Sequence, residues 1–246
     1  MHRVLFHVGS LSVYSYGFMI ALGLIFALFI GIKYGKDRGI NSDQIILLVI
    51  CTFFSGVIGS RILYIILNYT HYAGDPLRTL NIRTGGLAWH GGVIGGLIFI
   101  IWFSKKMKLS LWDMMDIGVI CGILGLAFGR IGCFLNGCCY GKISSVPWAV
   151  VFPNLGRFPR HPTQIYECIL DIIVLLVLLY IWKRHRFSGE VFCYFTGLYS
   201  VVRFIVEFFR DGSNPILIGL NLAQLTSLII IFFTLLLYRK LYSSMF

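Results

Sequence analysis

CGILGLAFGRIGCFLNGCCYG, residues 121–141, is an apolar run with a charge in its middle, Arg130. A second run, GLYSVVRFIVEFF at 197–209, carries Arg203 in the same situation. With their neighbours, both runs are long enough to cross a bilayer. A charge there costs roughly 2.5–3.5 kcal/mol even on the lenient insertion scale, so it needs a partner or a task. A guanidinium is also a planar, permanently charged receptor for phosphate. The pair therefore points to an anionic substrate held inside a membrane.

The rest of the chain agrees with a membrane setting. Of its 246 residues 58% are hydrophobic and 13% charged, and the mean hydropathy is +0.84. A soluble domain has about 45–50% apolar residues. Dividing the apolar stretches at basic clusters predicts an all-α, polytopic protein, a single domain over residues 1–246 with seven transmembrane helices: Val13–Ile32, Gln44–Leu67, Leu87–Phe103, Met114–Asn136, Ile165–Trp182, Val191–Phe209 and Gly219–Tyr238. The start, MHRVLFHVGSLSVYSYG, lacks the apolar core and small-residue cleavage site of a signal peptide, so the first span is expected to stay in place. The net charge of +11 is read as basic cytoplasmic loops facing anionic lipid, not as a nucleic-acid surface.

Basic residues set the orientation. The turns after spans one, three and five and the C-terminal tail hold Lys33, Lys36, Arg38, Lys105, Lys106, Lys108, Lys183, Arg184, Arg186, Arg239 and Lys240. The opposite side holds Arg3, Arg78, Arg83, Lys142, Arg157, Arg160 and Arg210, spread over longer loops. The positive-inside rule then puts the N-terminus outside and the C-terminus in the cytoplasm. Arg61, Arg130 and Arg203 come to lie roughly 25, 24 and 18 Å above the cytoplasmic ends of their spans, in a core about 30 Å thick. Tyr16, His90 and Glu167 start the spans that descend from the outer side, and Glu207 is one turn beyond Arg203. Polar groups from six helices thus share one level in the outer half of the bilayer, and a common site is expected there.

Each residue also has a plainer reading. Arg203 and Glu207, at i and i+4, can neutralise each other. Arg130 has no acid nearby in sequence and needs a partner from another helix or a ligand phosphate. His90, in LAWHGGVIGG, is either a proton acceptor or a helix-end histidine; the glycines beside it permit close approach of backbone or ligand, without the strand or Lys-Ser/Thr of a nucleotide loop. In RHPTQIYE, Pro162, Gln164 and Glu167 suit a helix N-terminus, and capping accounts for most of that motif. His161 and Gln164 are secondary substrate candidates. Of the seven cysteines, Cys51, Cys121, Cys168 and Cys193 lie in apolar runs and read as small buried hydrophobes. Cys133, Cys138 and Cys139 leave three readings open: small-residue packing, a disulfide or redox group, or metal ligands of weak spacing.

Five motifs in chain order, YSYGFM, WHGGVIGG, GRIGCFLNGCCYG, RHPTQIYE and VRFIVEFFR, resemble those of the prolipoprotein diacylglyceryl transferase family, over Tyr14 to Arg210. The resemblance implies a bacterial inner-membrane enzyme of lipoprotein biosynthesis with its active site towards the outer leaflet. Such an enzyme moves the diacylglyceryl group of phosphatidylglycerol to the lipobox cysteine of a prolipoprotein signal peptide, forming a thioether and releasing glycerol phosphate, without metal or organic cofactor. It places the signature arginine on Arg130, the second arginine on Arg203, the histidine on His90, the first-helix tyrosine on Tyr16 and the sixth-helix acid on Glu207. Gly141 closes the signature, and Asn136 and Gly137 are kept. The family pattern G-R-x-G-N-F-x-N-G-E-x-x-G is broken at Cys133, where Asn is usual, and at Cys138, where Glu is usual.

Catalysis is accordingly assigned to His90, Arg130 and Arg203, and substrate binding to Tyr16, Arg61, Asn136, Gly141, His161, Gln164, Glu167, Glu207 and Arg210. The partners are phosphatidylglycerol, the signal peptide and membrane lipids, with no nucleic acid. The altered signature leaves open a related transferase with another thiol or lipid. The same arginines would also serve an anionic-lipid transporter, although the repeat symmetry of many transporters is missing. Cys138 and Cys139 would serve a thiol oxidoreductase.

Overall fold

The computed structural model describes residues 2–9, 11–72, 85–212 and 214–244. Arg78 and Arg83, counted above among the outer basic residues, lie outside the described residues. Contacts divide the chain into two units, Met1–Ile30 with Asp116–Phe246, and Gly31–Met115.

Every expected span is matched by a helix. They are α1 (Ser15–Asp37), α2 (Ser42–Leu67), α4 (Trp89–Met107), α5 (Leu111–Asn136), α6 (Thr163–Trp182), α7 (Glu190–Val206) and α8 (Leu222–Ser243), with a four-residue α3 (Tyr69–Tyr72) after α2. Five of these, α1, α2, α5, α6 and α8, are long and apolar enough to cross a membrane. The other two long helices are weaker by composition or length: α4 begins with Trp89 and His90 and ends in Lys105 and Lys106, and α7 has 17 residues. Large side chains such as Phe29, Ile66 and Phe233 are exposed, as on helices that meet lipid instead of water.

The chain is mostly helical, as expected, with two small strand pairs that the sequence did not announce. A hairpin of β1 (Val4–Val8) and β2 (Leu11–Tyr14) precedes α1, with Val4 opposite Tyr14 and His7 opposite Ser12. A second pair, β3 (Val150–Val151) and β4 (Pro159–Arg160), precedes α6. Strands of two residues carry no periodic signal, and the first hairpin sits against an apolar run that dominates the local pattern.

In the unit Gly31–Met115, α2 and α4 meet along glycines. A Cβ on Gly59 would lie 2.4 Å from the Gly91 carbonyl oxygen, and one on Gly95 would lie 2.4 Å from that of Ser55. The glycines beside His90 therefore serve backbone-to-backbone approach, the usual route to tight packing where lipid removes the hydrophobic drive. α2 starts with a capping box, Asn41 accepting from helix N–H groups while Gln44 accepts from the Asn41 N–H.

In the other unit, α5 and α7 are pinned together at one end. Asp116 of α5 is fully buried, and its carboxylate accepts from the Gly189 and Phe192 N–H groups, both at 2.8 Å. It caps the start of α7 from a neighbouring helix, where a negative charge is favoured. Arg130 and Arg203 each lie fourteen residues beyond these anchor points, Asp116 and Gly189. At 1.5 Å per residue both rise about 21 Å from the shared end and so reach one level.

Candidate functional site: three arginines on one buried carboxylate

At that level the acid that Arg130 lacks in its own sequence neighbourhood comes from α6. Glu167 is 1% exposed. Its Oε2 lies 2.5 Å from Arg130 Nη2, while its Oε1 accepts from Arg203 Nη1 at 2.9 Å and Arg210 Nη1 at 3.1 Å. Arg203 also reaches Glu207 Oε2 at 3.0 Å through Nη2. The expected pairing of Arg203 with Glu207 is present as part of a larger network. Three guanidiniums thus meet two carboxylates in this network. The guanidinium-bearing side chains keep 16%, 21% and 22% exposure for Arg130, Arg203 and Arg210, against 2% for Glu167. Glu167 thus joins three guanidiniums, each of which stays partly exposed.

The capping reading of RHPTQIYE is corrected here. Pro162 is the residue before the first helical turn of α6 and makes no side-chain cap. Gln164 donates from Nε2 to the Cys138 carbonyl at 2.6 Å, and Thr163 from Oγ1 to that of Cys139 at 2.8 Å. The motif therefore grips the loop after α5 and aims Glu167 at the arginines. His161 lies 3.0 Å from the Tyr166 hydroxyl and packs edge-on to Phe209, a side-chain cluster on the loop side of the arginines.

The chain after α7 closes the same region. Just past Val206 the N–H groups reach three residues back, Phe208 to Ile205 at 3.3 Å and Phe209 to Val206 at 3.0 Å, so α7 ends at Val206, earlier than the expected Phe209. This tighter turn presents Arg210. The Gly141 N–H donates to the His161 carbonyl at 2.9 Å and the Lys142 N–H to that of Phe209 at 2.8 Å. A Cβ on Gly141 would stand 2.5 Å from the Phe209 oxygen and 2.7 Å from His161 Cβ. Only glycine admits both strands so close. Arg160 adds an ion pair to Asp211 at 2.5 Å and lies over the Tyr140 ring.

Tyr16 packs against Gly132, a Cβ on which would be 3.0 Å from Tyr16 Cδ2, and is within electrostatic reach of Arg130. The Asn136 carbonyl accepts from Arg3 Nε at 3.3 Å, and its amide nitrogen lies 3.7 Å from Cys138 Sγ. Beyond the end of α5, hydrogen bonds from the Cys133 and Cys138 thiols, with the charges of Arg210 and Arg130, hold the Cys139 thiol below its ordinary range against the effect of burial. A cavity of about 550 Å³ opens here, with Arg3, Cys138, Cys139, Tyr140, Arg210 and Asp211 among its lining residues.

The remaining assigned residues belong to the unit Gly31–Met115. Arg61 is buried; its Nη1 donates to the Gly85 and Gly86 carbonyls at 2.7 and 3.1 Å, and its guanidinium lies over the Tyr72 and Tyr64 rings. That is a structural engagement for a residue assigned to substrate. His90 is the second residue of α4 and is exposed.

Two residues escaped the sequence reading. Asp171 on α6 is 1% exposed, and both its carboxylate oxygens are without hydrogen-bond partners; Arg130, Glu167 and Arg203 all act on it electrostatically. Tyr199 on α7 lies within electrostatic reach of Arg130. The signal for both was helical spacing: Asp171 is four residues after Glu167, and Tyr199 four before Arg203.

A family profile described as prolipoprotein diacylglyceryl transferase matches residues 3–239. A phosphatidylglycerol–prolipoprotein diacylglyceryl transferase of Clostridium tetani is 38% identical over 232 residues, 93% of each chain. One of Geobacter sulfurreducens is 35% identical over 212 residues, covering 85% of this chain and 82% of the relative. A protein of Clostridium perfringens, named as the second such transferase, is 35% identical over 243 residues, 97% of this chain and 95% of its own.

Proposed function

The chain belongs to the prolipoprotein diacylglyceryl transferase family, and on that premise we propose that it transfers the diacylglyceryl group of phosphatidylglycerol to the cysteine thiol of a prolipoprotein signal peptide. A carbon–sulfur bond forms as the glyceryl carbon–oxygen bond to phosphate breaks. The electron pair of that bond leaves on the phosphate oxygen, and the thiol proton completes the released glycerol phosphate.

The observation that carries this reading is the attachment of Arg130, Arg203 and Arg210 to Glu167. Charge develops on the leaving phosphate, and donors already oriented in a dry site stabilise it without reorganising. Arg203 touches two carboxylates, so much of its charge is compensated locally. That favours orienting phosphate over acidifying the acceptor thiol. The thiol proton then needs a base, and His90 takes that role, exposed at the head of its helix, with Tyr16 as orienting donor. Asn136, Gly141, His161 and Gln164 act by holding the loop and the arginines in register.

The finer topology follows the same reading: seven spans, the N-terminus outside, the C-terminus cytoplasmic, and the reaction in the outer leaflet of the bacterial plasma membrane. Purified protein in detergent, given labelled phosphatidylglycerol and a lipobox peptide, should yield thioether product, and Arg130→Ala should yield none. Lipid exchanged between leaflets of vesicles with no covalent product would replace this reading with transport.

A further inference from the structure

One group of side chains has chemistry that the transfer does not use. Cys133, near the end of α5, and Cys138 and Cys139, just beyond it, place their three Sγ atoms within 4.8 Å of one another, and all three thiols are free. Cys133 is buried one turn from Arg130, while Cys138 and Cys139 line the cavity of about 550 Å³. The cluster is thus closed on one side and open on the other.

The three readings of these cysteines now separate. Simple packing would bury all three, yet two face a cavity. A bond between Cys138 and Cys139 would join residues whose Cα atoms are held about 3.8 Å apart by a trans peptide, shorter than the roughly 4.4–6.8 Å of ordinary disulfides. A bond from Cys133 to either of them would strand the third thiol. A metal uses all three. Zinc–thiolate bonds of about 2.3 Å at tetrahedral angles set sulfurs about 3.8 Å apart, within the separation seen here.

We propose that Cys133, Cys138 and Cys139 form a three-thiolate site for a thiophilic divalent ion, Zn²⁺, whose fourth coordination position faces the cavity. The surroundings suit it. Cys139 turns through a left-handed backbone (φ +62°), which brings consecutive cysteines into one cluster. The Asn136 amide points a donor at Cys138 Sγ from 3.7 Å, the kind of outer support that steadies a thiolate ligand. Three thiolates and Zn²⁺ carry one net negative charge, and Arg130 and Arg210 both act electrostatically on Cys139. Each thiol that binds loses its proton to solvent, so uptake strengthens as pH rises.

The test uses the whole chain in detergent, reduced and stripped with chelator, then dialysed against Zn²⁺, with bound metal measured by mass spectrometry. Co²⁺ in its place reports thiolate coordination by its visible absorption. One Zn²⁺ per chain is expected for wild type. Binding should weaken at least about 100-fold in Cys138→Ser/Cys139→Ser, which leaves the buried Cys133 in place, and in the triple serine variant. Cys51, Cys121, Cys168 and Cys193 remain in every variant as internal controls. Uptake unchanged in either variant would overturn the site, as would wild type whose thiols all react with a thiol reagent yet bind no metal. Metal content is read independently of transfer, so an inactive preparation would count against the transferase reading and leave this result standing.

Discussion

The α2–α4 seam and the arginine cluster solve the same problem, joining helices where lipid gives no hydrophobic drive, by opposite means. In the seam Gly59, Gly91 and Gly95 bring backbones together with no side chain between. In the cluster α5, α6 and α7 are joined by charged side chains meeting on Glu167. The first join gains from packing alone. The second places buried ions, whose desolvation offsets much of their attraction, so stability alone does not account for it. The glycine seam needs no such charges.

The largest effect should come from removing the charge at the centre of the cluster. Glu167→Gln keeps the shape but gives three guanidiniums a neutral partner, one of whose two polar atoms is itself a donor. Breaking a buried pair from one side costs about 3–5 kcal/mol in full burial, less here because the arginines keep 16–22% exposure. Transfer should fall at least about 100-fold, as when a preorganised donor is lost. Near-normal turnover in the assay with labelled lipid would show that the arginines do not need Glu167 to bind phosphate.

His90→Asn comes next. If the imidazole takes the thiol proton, transfer should drop by about 100-fold and the pH–rate profile should lose its acid limb. A variant with an unchanged profile would return His90 to the helix-end role and leave the chemistry to the arginine side.

How far these two regions could be read from sequence differs for a physical reason. Helices announce themselves through runs of apolar residues, so the seven long helices among the described residues were legible, from the first at Ser15 to the last ending at Ser243. Intramembrane charge announced Arg130 and Arg203 in the same way. The partner of Arg130 was not legible: Glu167 lies on another helix, and its motif also satisfied capping rules. Asp171 and Tyr199 carried only the i, i+4 spacing, which most helical residues share with some neighbour. The strand pairs left no pattern: β3 and β4 have two residues each, and the β1–β2 hairpin runs straight into the apolar stretch of α1. The Cys cluster was visible as spacing, but its closure depends on the left-handed backbone at Cys139.

In the seam the expected effect is on stability. Gly95→Ala would put a Cβ 2.4 Å from the Ser55 carbonyl oxygen and 3.2 Å from Gly59 Cα. Backbone must move to admit it, at about 1–3 kcal/mol. The melting midpoint in detergent should fall while transfer per folded molecule holds. Lost transfer at an unchanged midpoint would mean that the seam positions reacting groups instead of only joining helices.

The smallest effect tests the link between a join and the chemistry some 21 Å from it. Asp116→Asn keeps one oxygen for the start of α7 but offers an N–H₂ where the second had accepted, so either the Gly189 or the Phe192 N–H loses its acceptor. The loss of that bond and of charge at a helix N-terminus is worth about 1 kcal/mol. Transfer should fall only a few-fold, because the far end of α7 is independently tied to α6 by Arg203 and Arg210 on Glu167. Measured together, melting and turnover separate two designs. If turnover follows the small stability change, the charged cluster aligns itself. If turnover collapses while the fold survives, the aspartate sets the height of Arg203 from the opposite end of the helix, and the cluster only receives it.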